Sequence, residues 1–213
     1  MKAPALSLLL LACAASPVLA QAPALEAHAS NLGYSYSIPS DWEVVATPSS
    51  LADVKQQQSQ SATSEDEKKG VACVQLSLTA RHGEPASVIV VMELPFGCFG
   101  QTMSDKDLPG FAQGASEGIK QSFDITDPVY GSYSLQGHSM WVERAKGTPK
   151  GHPELPYTVE IACSLLTKGA VCWMAMAADE SALKTFEQGP VALEQQAPVA
   201  LVPPTAFDKK PGA

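Results

Sequence analysis

The sequence predicts an α+β fold in which an antiparallel β-sheet, built from hairpins, has helices packed against it. The first observation is a series of short segments in which apolar and polar residues alternate between turns, as in strands. The second is that residues 107–123 and 179–188 carry apolar residues at helical spacing instead. The third is length, because the 193 residues that follow a 20-residue leader suit one domain.

Residues 1–20 have the composition of a signal peptide. Lys2 supplies a positive charge, residues 6–15 are apolar except for one serine, and Val18-Leu19-Ala20 fits the small-residue rule for cleavage before Gln21. The segment is shorter than the ~20 apolar residues of a transmembrane helix, and no later run comes close. We therefore expect a periplasmic or secreted protein without a membrane span.

Cys13 offers a second interpretation of this segment. Leu10-Leu11-Ala12-Cys13 has the outline of a lipoprotein cleavage site, at which Cys13 would be lipidated. That processing would leave an apolar region at the short end of the usual ~7–15 residues. Ordinary cleavage uses the whole apolar run, so we favour it and keep lipoprotein anchoring as the alternative.

The charge of the chain argues against nucleic-acid binding. Lys and Arg number 14 against 22 Asp and Glu, which gives a formal net charge of −8. Binding to phosphates needs clustered basic residues, but the two basic doublets, Lys68-Lys69 and Lys209-Lys210, lie beside acidic residues. We expect a protein partner or a small ligand instead.

The predicted domain covers residues 33–195, after a loose leader at 21–32. Residues 33–38 alternate aromatic or apolar residues with serine, which predicts a strand. Pro39-Ser40-Asp41 predicts a turn, and a second strand begins at Trp42.

A polar insert follows at residues 49–70. Ser50 is a candidate cap for a short helix, but residues 59–70 lack a pattern of apolar residues and predict a mobile loop. Residues 71–80 and 86–94 then predict a hairpin. Its second strand is apolar on both sides, as expected of a central strand that is covered on both faces.

The second half contains the clearest helix and two more hairpins. Residues 107–123 repeat apolar residues every three or four positions, with Asp107 as the candidate N-cap. Hairpins are predicted over 131–145 and 157–177, and Asp179 caps a second helix. Residues 196–213 predict a proline-rich tail.

Four cysteines remain after signal cleavage, and in an oxidising compartment we expect two disulfides. None forms a C-x-x-C motif, which argues against a thioredoxin-type redox site or a zinc ribbon. In the last hairpin, one register pairs residues whose numbers sum to 335. It places the apolar faces of the two strands on the same side of the sheet and sets Cys163 opposite Cys172. A tighter turn would oppose Cys163 to Met174 instead. The first register leaves Cys73 to pair with Cys98.

The order of these elements resembles the PsbP-like and DcrB-like proteins over roughly residues 33–187. The residues that carry the resemblance are Tyr36-Ser37-Ile38-Pro39-Ser40-Asp41-Trp42, the helix from Leu108 to Phe123, and Ala170 to Phe186. The resemblance implies an antiparallel sheet covered by helices and a mostly non-catalytic role. The plant form is an accessory subunit of a photosynthetic complex, and the bacterial forms are envelope proteins. The insert at 49–70 and the four cysteines are departures from that pattern.

Gly114-Ala115-Ser116-Glu117-Gly118 matches the G-x-S-x-G motif of serine hydrolases. In esterases a strand precedes this motif, so that the serine lies on a strained strand-to-helix turn. Here Ser116 lies within a predicted helix. We therefore expect no catalytic residue, and we keep the hydrolase as the weakest of three interpretations.

The same helix carries glycine at every fourth position, at Gly110, Gly114 and Gly118. Each helical glycine costs about 1 kcal/mol relative to alanine. A backbone or a partner that approaches closely would offset this cost, so the three glycines are a candidate close-packing or partner face. A helix held by its apolar side alone is the alternative.

No other residue type forms a catalytic or metal-binding pattern. The four histidines are scattered without metal-ligand spacing, and we expect neither a metal nor a cofactor. We therefore expect an exported, non-enzymatic envelope or secreted protein that binds a partner. The second interpretation is a small-molecule binder with a pocket between sheet and helix.

Overall fold

The computed structural model describes residues 24–45, 59–60, 64–83 and 86–207. The predicted signal peptide with Cys13 and Gln21, the Ser50 helix and residues 208–213 lie outside this part of the chain. Within it, the strands are β1 (Leu25–Ala29), β2 (Tyr34–Pro39), β3 (Glu43–Val44), β4 (Gln75–His82), β5 (Ser87–Pro95), β6 (Phe123–Leu135), β7 (His138–Pro149), β8 (Tyr157–Leu166), β9 (Gly169–Ala177), β10 (Pro190–Leu193) and β11 (Val199–Ala200). The helices are α1 (Glu65–Cys73), α2 (Phe96–Phe99), α3 (Leu108–Lys120) and α4 (Glu180–Gln188).

The strands form two antiparallel sheets, and the predicted α+β class is confirmed. The larger sheet has seven strands in the order β3-β4-β5-β9-β8-β7-β6. The smaller sheet has four, in the order β1-β2-β10-β11. Hairpins build most of the larger sheet, because β4 pairs with β5, β6 with β7 and β8 with β9.

The main core lies between the two sheets. Tyr34 and Tyr36 of β2 pack there with Trp173 of the larger sheet and Phe186 of α4, and all four are buried. The rings of Tyr34 and Trp173 meet edge to face with centroids 5.3 Å apart. These contacts hold the smaller sheet on one face of the larger one.

Helix α3 covers the opposite face of the larger sheet. Leu108, Ala112 and Ala115 pack against a second apolar cluster, which includes Ile161 of β8 and Met174 of β9. The side of α3 adjacent to these three residues faces strands β6 and β7.

The two ends of the described chain are ordered into the smaller sheet. Residues 25–29, expected to be part of a loose leader, form β1 and pair with β2 along its full length. They lie at an exposed edge, where alternation is not required. In the region of the predicted tail, β11 pairs with β10, and Leu201, Val202 and Ala206 are buried.

The structure differs from the local predictions around α1 and at the start of α3. Residues 65–70, expected to be part of a mobile loop, and residues 71–73, expected to begin a strand, belong to α1, whose last residue Cys73 is buried and disulfide-bonded. Asp107 is the N-cap residue of α3, as predicted, but its side chain makes no capping hydrogen bond, because its carboxylate accepts hydrogen bonds from the backbone N–H and hydroxyl of Ser104. Asp179 does cap α4, through the backbone N–H of Ala182 at 2.8 Å.

The four described cysteines lie at disulfide distance in the two expected pairs. Cys73 and Cys98 join α1 to α2, with an S–S distance of 2.01 Å. Cys163 and Cys172 join β8 to β9, where the register sets them directly opposite each other. The second pair is fully buried under α3.

Candidate functional site

A cavity of about 270 Å³ lies between α3 and strands β6 and β7. Its polar and aromatic lining comes from both layers. The lining residues are Pro109, Gln113, Ser116, Lys120, Tyr130, Trp141 and Glu143.

The regular geometry of helix and sheet brings these residues together. Gln113, Ser116 and Lys120 are spaced three and four residues apart, so they share one side of α3. Tyr130 of β6 pairs with Glu143 of β7, so their side chains lie on the same face of the sheet. Trp141 shares that face because it precedes Glu143 by two residues.

Glu143 is the buried acid of the cavity. Its residue is 4% exposed, as is that of Ser116. The Ser116 hydroxyl donates a hydrogen bond to Glu143 Oε1 at 3.2 Å. Burial raises the pKa of the Glu143 carboxyl, although the Ser116 hydrogen bond and the charge of Lys120 lower it.

Lys120 is the cation at the mouth of the cavity. Its ammonium pairs with Glu117, one helical turn back, at 2.7 Å. Both side chains are about half exposed, at 43% and 56%. The pair is therefore a solvated surface contact with little net charge.

Tyr130 and Trp141 form the aromatic wall. Their ring centroids are 5.6 Å apart and their planes are inclined by 43°. Tyr130 is 41% exposed, so part of its side chain faces solvent at the cavity. The two rings thus present a corner of aromatic surface beside a buried carboxyl group.

A second cavity is too small for a ligand. It lies between the sheets beside His28, Tyr34 and Ser77, and its volume of about 10 Å³ has room for about one water molecule. The cavity under α3 is large enough for a small molecule, and we take it as the candidate ligand site.

The structure does not place Ser116 in a hydrolase site. Ser116 lies in the middle of α3, it is buried, and its hydroxyl is bonded to the carboxylate of Glu143. The histidines that might serve it are engaged elsewhere: His138 contacts the Leu165 carbonyl and Glu194, and His152 contacts Glu154. The strained strand-to-helix turn that G-x-S-x-G requires is not formed here.

The glycine face of α3 is open at two of its three glycines within the part of the chain that the structure describes. A Cβ atom added at Gly110 or Gly114 would meet no described atom outside the helix's own backbone and chain neighbours within 4 Å, and Gly118 is half-buried. Close approach of another described backbone therefore does not explain the first two glycines.

No group of three or more His, Cys, Asp or Glu side chains among the residues that the structure describes is arranged to hold a metal ion. No helix in this part of the chain combines the length and apolar character needed to cross a bilayer.

The cavity was not predicted from the sequence, because Tyr130, Trp141 and Glu143 belong to no motif there. The available signal was Glu143 itself, since strand alternation places this charged residue on the same face as Trp141. An acid on an otherwise apolar face is a reason to expect a cavity or a polar partner.

Comparison with known proteins finds a likeness among solved structures. No family model and no curated protein matches the chain. Among solved structures, the chain is similar to the solution structure of cyanobacterial PsbP from Synechocystis sp. PCC 6803. The two share 10% sequence identity, with a TM-score of 0.40, over 78% of this chain and 86% of that one. PsbP is also the family that the order of elements in the sequence resembles.

Proposed function

We propose that the protein is an exported, non-enzymatic binding protein whose ligand occupies the cavity between α3 and strands β6 and β7. The observation that carries this proposal is the convergence of Ser116, Lys120, Tyr130 and Glu143 on about 270 Å³. A ligand pocket typically pairs an apolar or aromatic wall with a few placed polar groups. The volume of the cavity under α3 lies just below the ~300–1,000 Å³ that is usual for ligand pockets, which suits a ligand of a few heavy atoms.

Export rests on separate support. Residues 1–20 have the composition of a signal peptide, and the two cysteine pairs at disulfide distance suit an oxidising compartment.

Replacing Tyr130 with alanine is expected to weaken ligand binding about tenfold, because it removes one of the two aromatic walls. The measurement is calorimetric titration with small-molecule fragments that raise the melting temperature of the full chain. Val129→Ala is the matched control. Val129 directly precedes Tyr130 on β6 and is 51% exposed, but it does not line the cavity. Equal affinities for wild type and both variants would show that the fragments bind elsewhere.

A protein partner on the glycine face of α3 is the second candidate, favoured by the open space at Gly110 and Gly114. The two residues alternate along the helix with Pro109 and Gln113 at the cavity rim. A partner that covers this face would also cover the mouth of the cavity.

Gly114→Ala separates stability from interaction. The substitution is expected to raise the free energy of unfolding by a few tenths to about 1 kcal/mol, because alanine favours the helix and its Cβ meets open space. Denaturant unfolding measures this gain, and co-purification from the native envelope measures partner binding. A stability gain with an unchanged set of partners would end the glycine-face proposal. Loss of a partner from a stabilised variant would support it.

A further inference from the structure

We infer that the ligand is a small organic cation, an ammonium compound held between the rings of Tyr130 and Trp141 and the carboxylate of Glu143. The inference rests on the proposed function, since it assigns a chemical class to the ligand of the same cavity.

The charges around the cavity favour a cation. Lys120 is paired with Glu117 at 2.7 Å, so these two charges largely cancel. Ionised Glu143 then leaves the site with one net negative charge, held in a residue that is 4% exposed. Among the described residues, the hydrogen bond from Ser116 to Oε1 is the one found for this carboxylate. The Oε2 atom can therefore face the positive charge of a bound cation.

The aromatic wall suits the same chemistry. A cation is attracted to the face of a tryptophan or tyrosine ring within ~6 Å of the ring centroid. Tyr130 and Trp141 both line the cavity, and their centroids lie 5.6 Å apart with planes inclined by 43°, so the two rings form one aromatic surface beside Glu143. Alkylammonium groups combine a charge for Glu143 with apolar carbon for the rings.

An anionic ligand fits the site less well. It would approach the buried carboxylate of Glu143. The positively charged side chain that could bind it is Lys120, which is exposed and already paired with Glu117. A neutral ligand would use the hydroxyl of Ser116 and the rings but would leave the Glu143 charge without a partner. The three ligand classes therefore differ in how they respond to the charge of Glu143.

Binding of a cation is expected to depend on pH through Glu143. The groups around this carboxyl are Ser116, Glu117 and Lys120 from α3, Tyr130 from β6, and the apolar Ile161 from β8. Burial raises the Glu143 pKa above its usual value of 4.5. As pH falls through that raised pKa, the carboxyl becomes neutral and the cation loses its charged partner.

The test compares choline with its uncharged isostere 3,3-dimethylbutan-1-ol, by calorimetric titration of the full chain. At about pH 8 we expect choline to bind about tenfold more tightly than the isostere. Glu143→Gln should remove this preference by weakening choline binding, so that this variant binds choline and the isostere about equally tightly. Glu180→Gln is the matched control, because it makes the same charge change on the exposed surface of α4 and should preserve the preference.

The outcomes separate the two proposals. Equal affinities for choline and the isostere, both reduced in Tyr130→Ala, would overturn the cation inference and leave the cavity as a binding site. A choline preference that survives Glu143→Gln, or that is the same at about pH 8 and about pH 4.5, would also overturn it. The pH comparison uses the wild-type chain, so it stands even if Glu143→Gln fails to fold. If no fragment of any charge binds in a manner sensitive to Tyr130→Ala, the proposed function itself fails.

Discussion

Replacing Arg144 with methionine is expected to lower the free energy of unfolding by about 3 kcal/mol at about pH 8. The Arg144 guanidinium donates hydrogen bonds to Glu160, at 2.5 Å, and to Glu187. It also lies over the Phe207 ring, 4.4 Å from the centroid. Glu160 is fully buried, and one of its oxygens has no hydrogen-bond partner among the described residues. Loss of Arg144 leaves this acid without its counter-ion.

The cost should depend on pH in a defined direction. Burial raises the pKa of Glu160 to about 7, against the lowering effect of Arg144. Glu160 therefore contributes stability that is fully present below about pH 4.5 and is lost as pH rises through about 7. Removing Arg144 raises this pKa further. At about pH 5 both chains hold Glu160 neutral, so the variant should recover about 1 to 1.5 kcal/mol of its deficit.

Lys146→Met is the matched control for Arg144→Met. Lys146 lies two residues along β7 and pairs with Asp127, but both side chains are more than two-thirds exposed, at 76% and 69%. Its removal should cost less than about 1 kcal/mol at either pH. Denaturant unfolding of the three chains at both pH values measures the differences. An Arg144→Met cost that equals the control, or that does not change with pH, would contradict this account of Glu160.

Replacing Trp173 with alanine is expected to cost about 3 to 5 kcal/mol, since a large side chain is removed from the core between the sheets. Trp173 is fully buried and packs against Tyr34. The indole Nε1 has no hydrogen-bond partner among the described residues. Trp173→Phe therefore loses volume but no hydrogen bond, and about 1 to 2 kcal/mol is expected.

Thermal or denaturant unfolding ranks the two Trp173 variants. Equal costs for phenylalanine and alanine would contradict this account of the core position.

Local pairing was the part of the fold that the sequence could predict. In the β8–β9 hairpin, the apolar faces of both strands and a short turn leave few registers, and the observed one opposes Cys163 to Cys172 and Ile161 to Met174. The turn residues are Thr167 and Lys168, since Leu166 pairs with Gly169. Burial on one face of a hairpin specifies its register strongly.

The smaller sheet was not predicted, because it joins segments from the two ends of the chain. β2 pairs with β10, more than 150 positions along the sequence. β1 is exposed on almost every residue and so has no alternation to detect. Gln136 in the β6–β7 turn fixes the returning segment by bonding to the backbone of Leu193 and Ala197. A contact between such distant positions leaves no local pattern.

The candidate site was missed for a related reason. Its residues come from a helix and from two strands that follow it, and each residue alone has an ordinary structural explanation. Ser116 belongs to a G-x-S-x-G motif, but the strand-to-helix turn that this motif requires is not formed around it. Glu143 belongs to no motif. Only the packing of α3 over β6 and β7 shows that the two side chains meet.

The central claim, that the cavity under α3 is the ligand site, is tested most directly by the indole N–H signals in a nitrogen–proton NMR spectrum. The chain has three tryptophans, and each reports on a different place. Trp141 lines the cavity, Trp173 lies between the sheets, and Trp42 is stacked on His82 with centroids 5.4 Å apart. Trp141→Phe assigns the cavity signal by its disappearance. Fragments that bind the wild-type chain should shift the Trp141 signal and leave the other two in place. Binding that shifts Trp42 or Trp173 while Trp141 stays unchanged would contradict the claim.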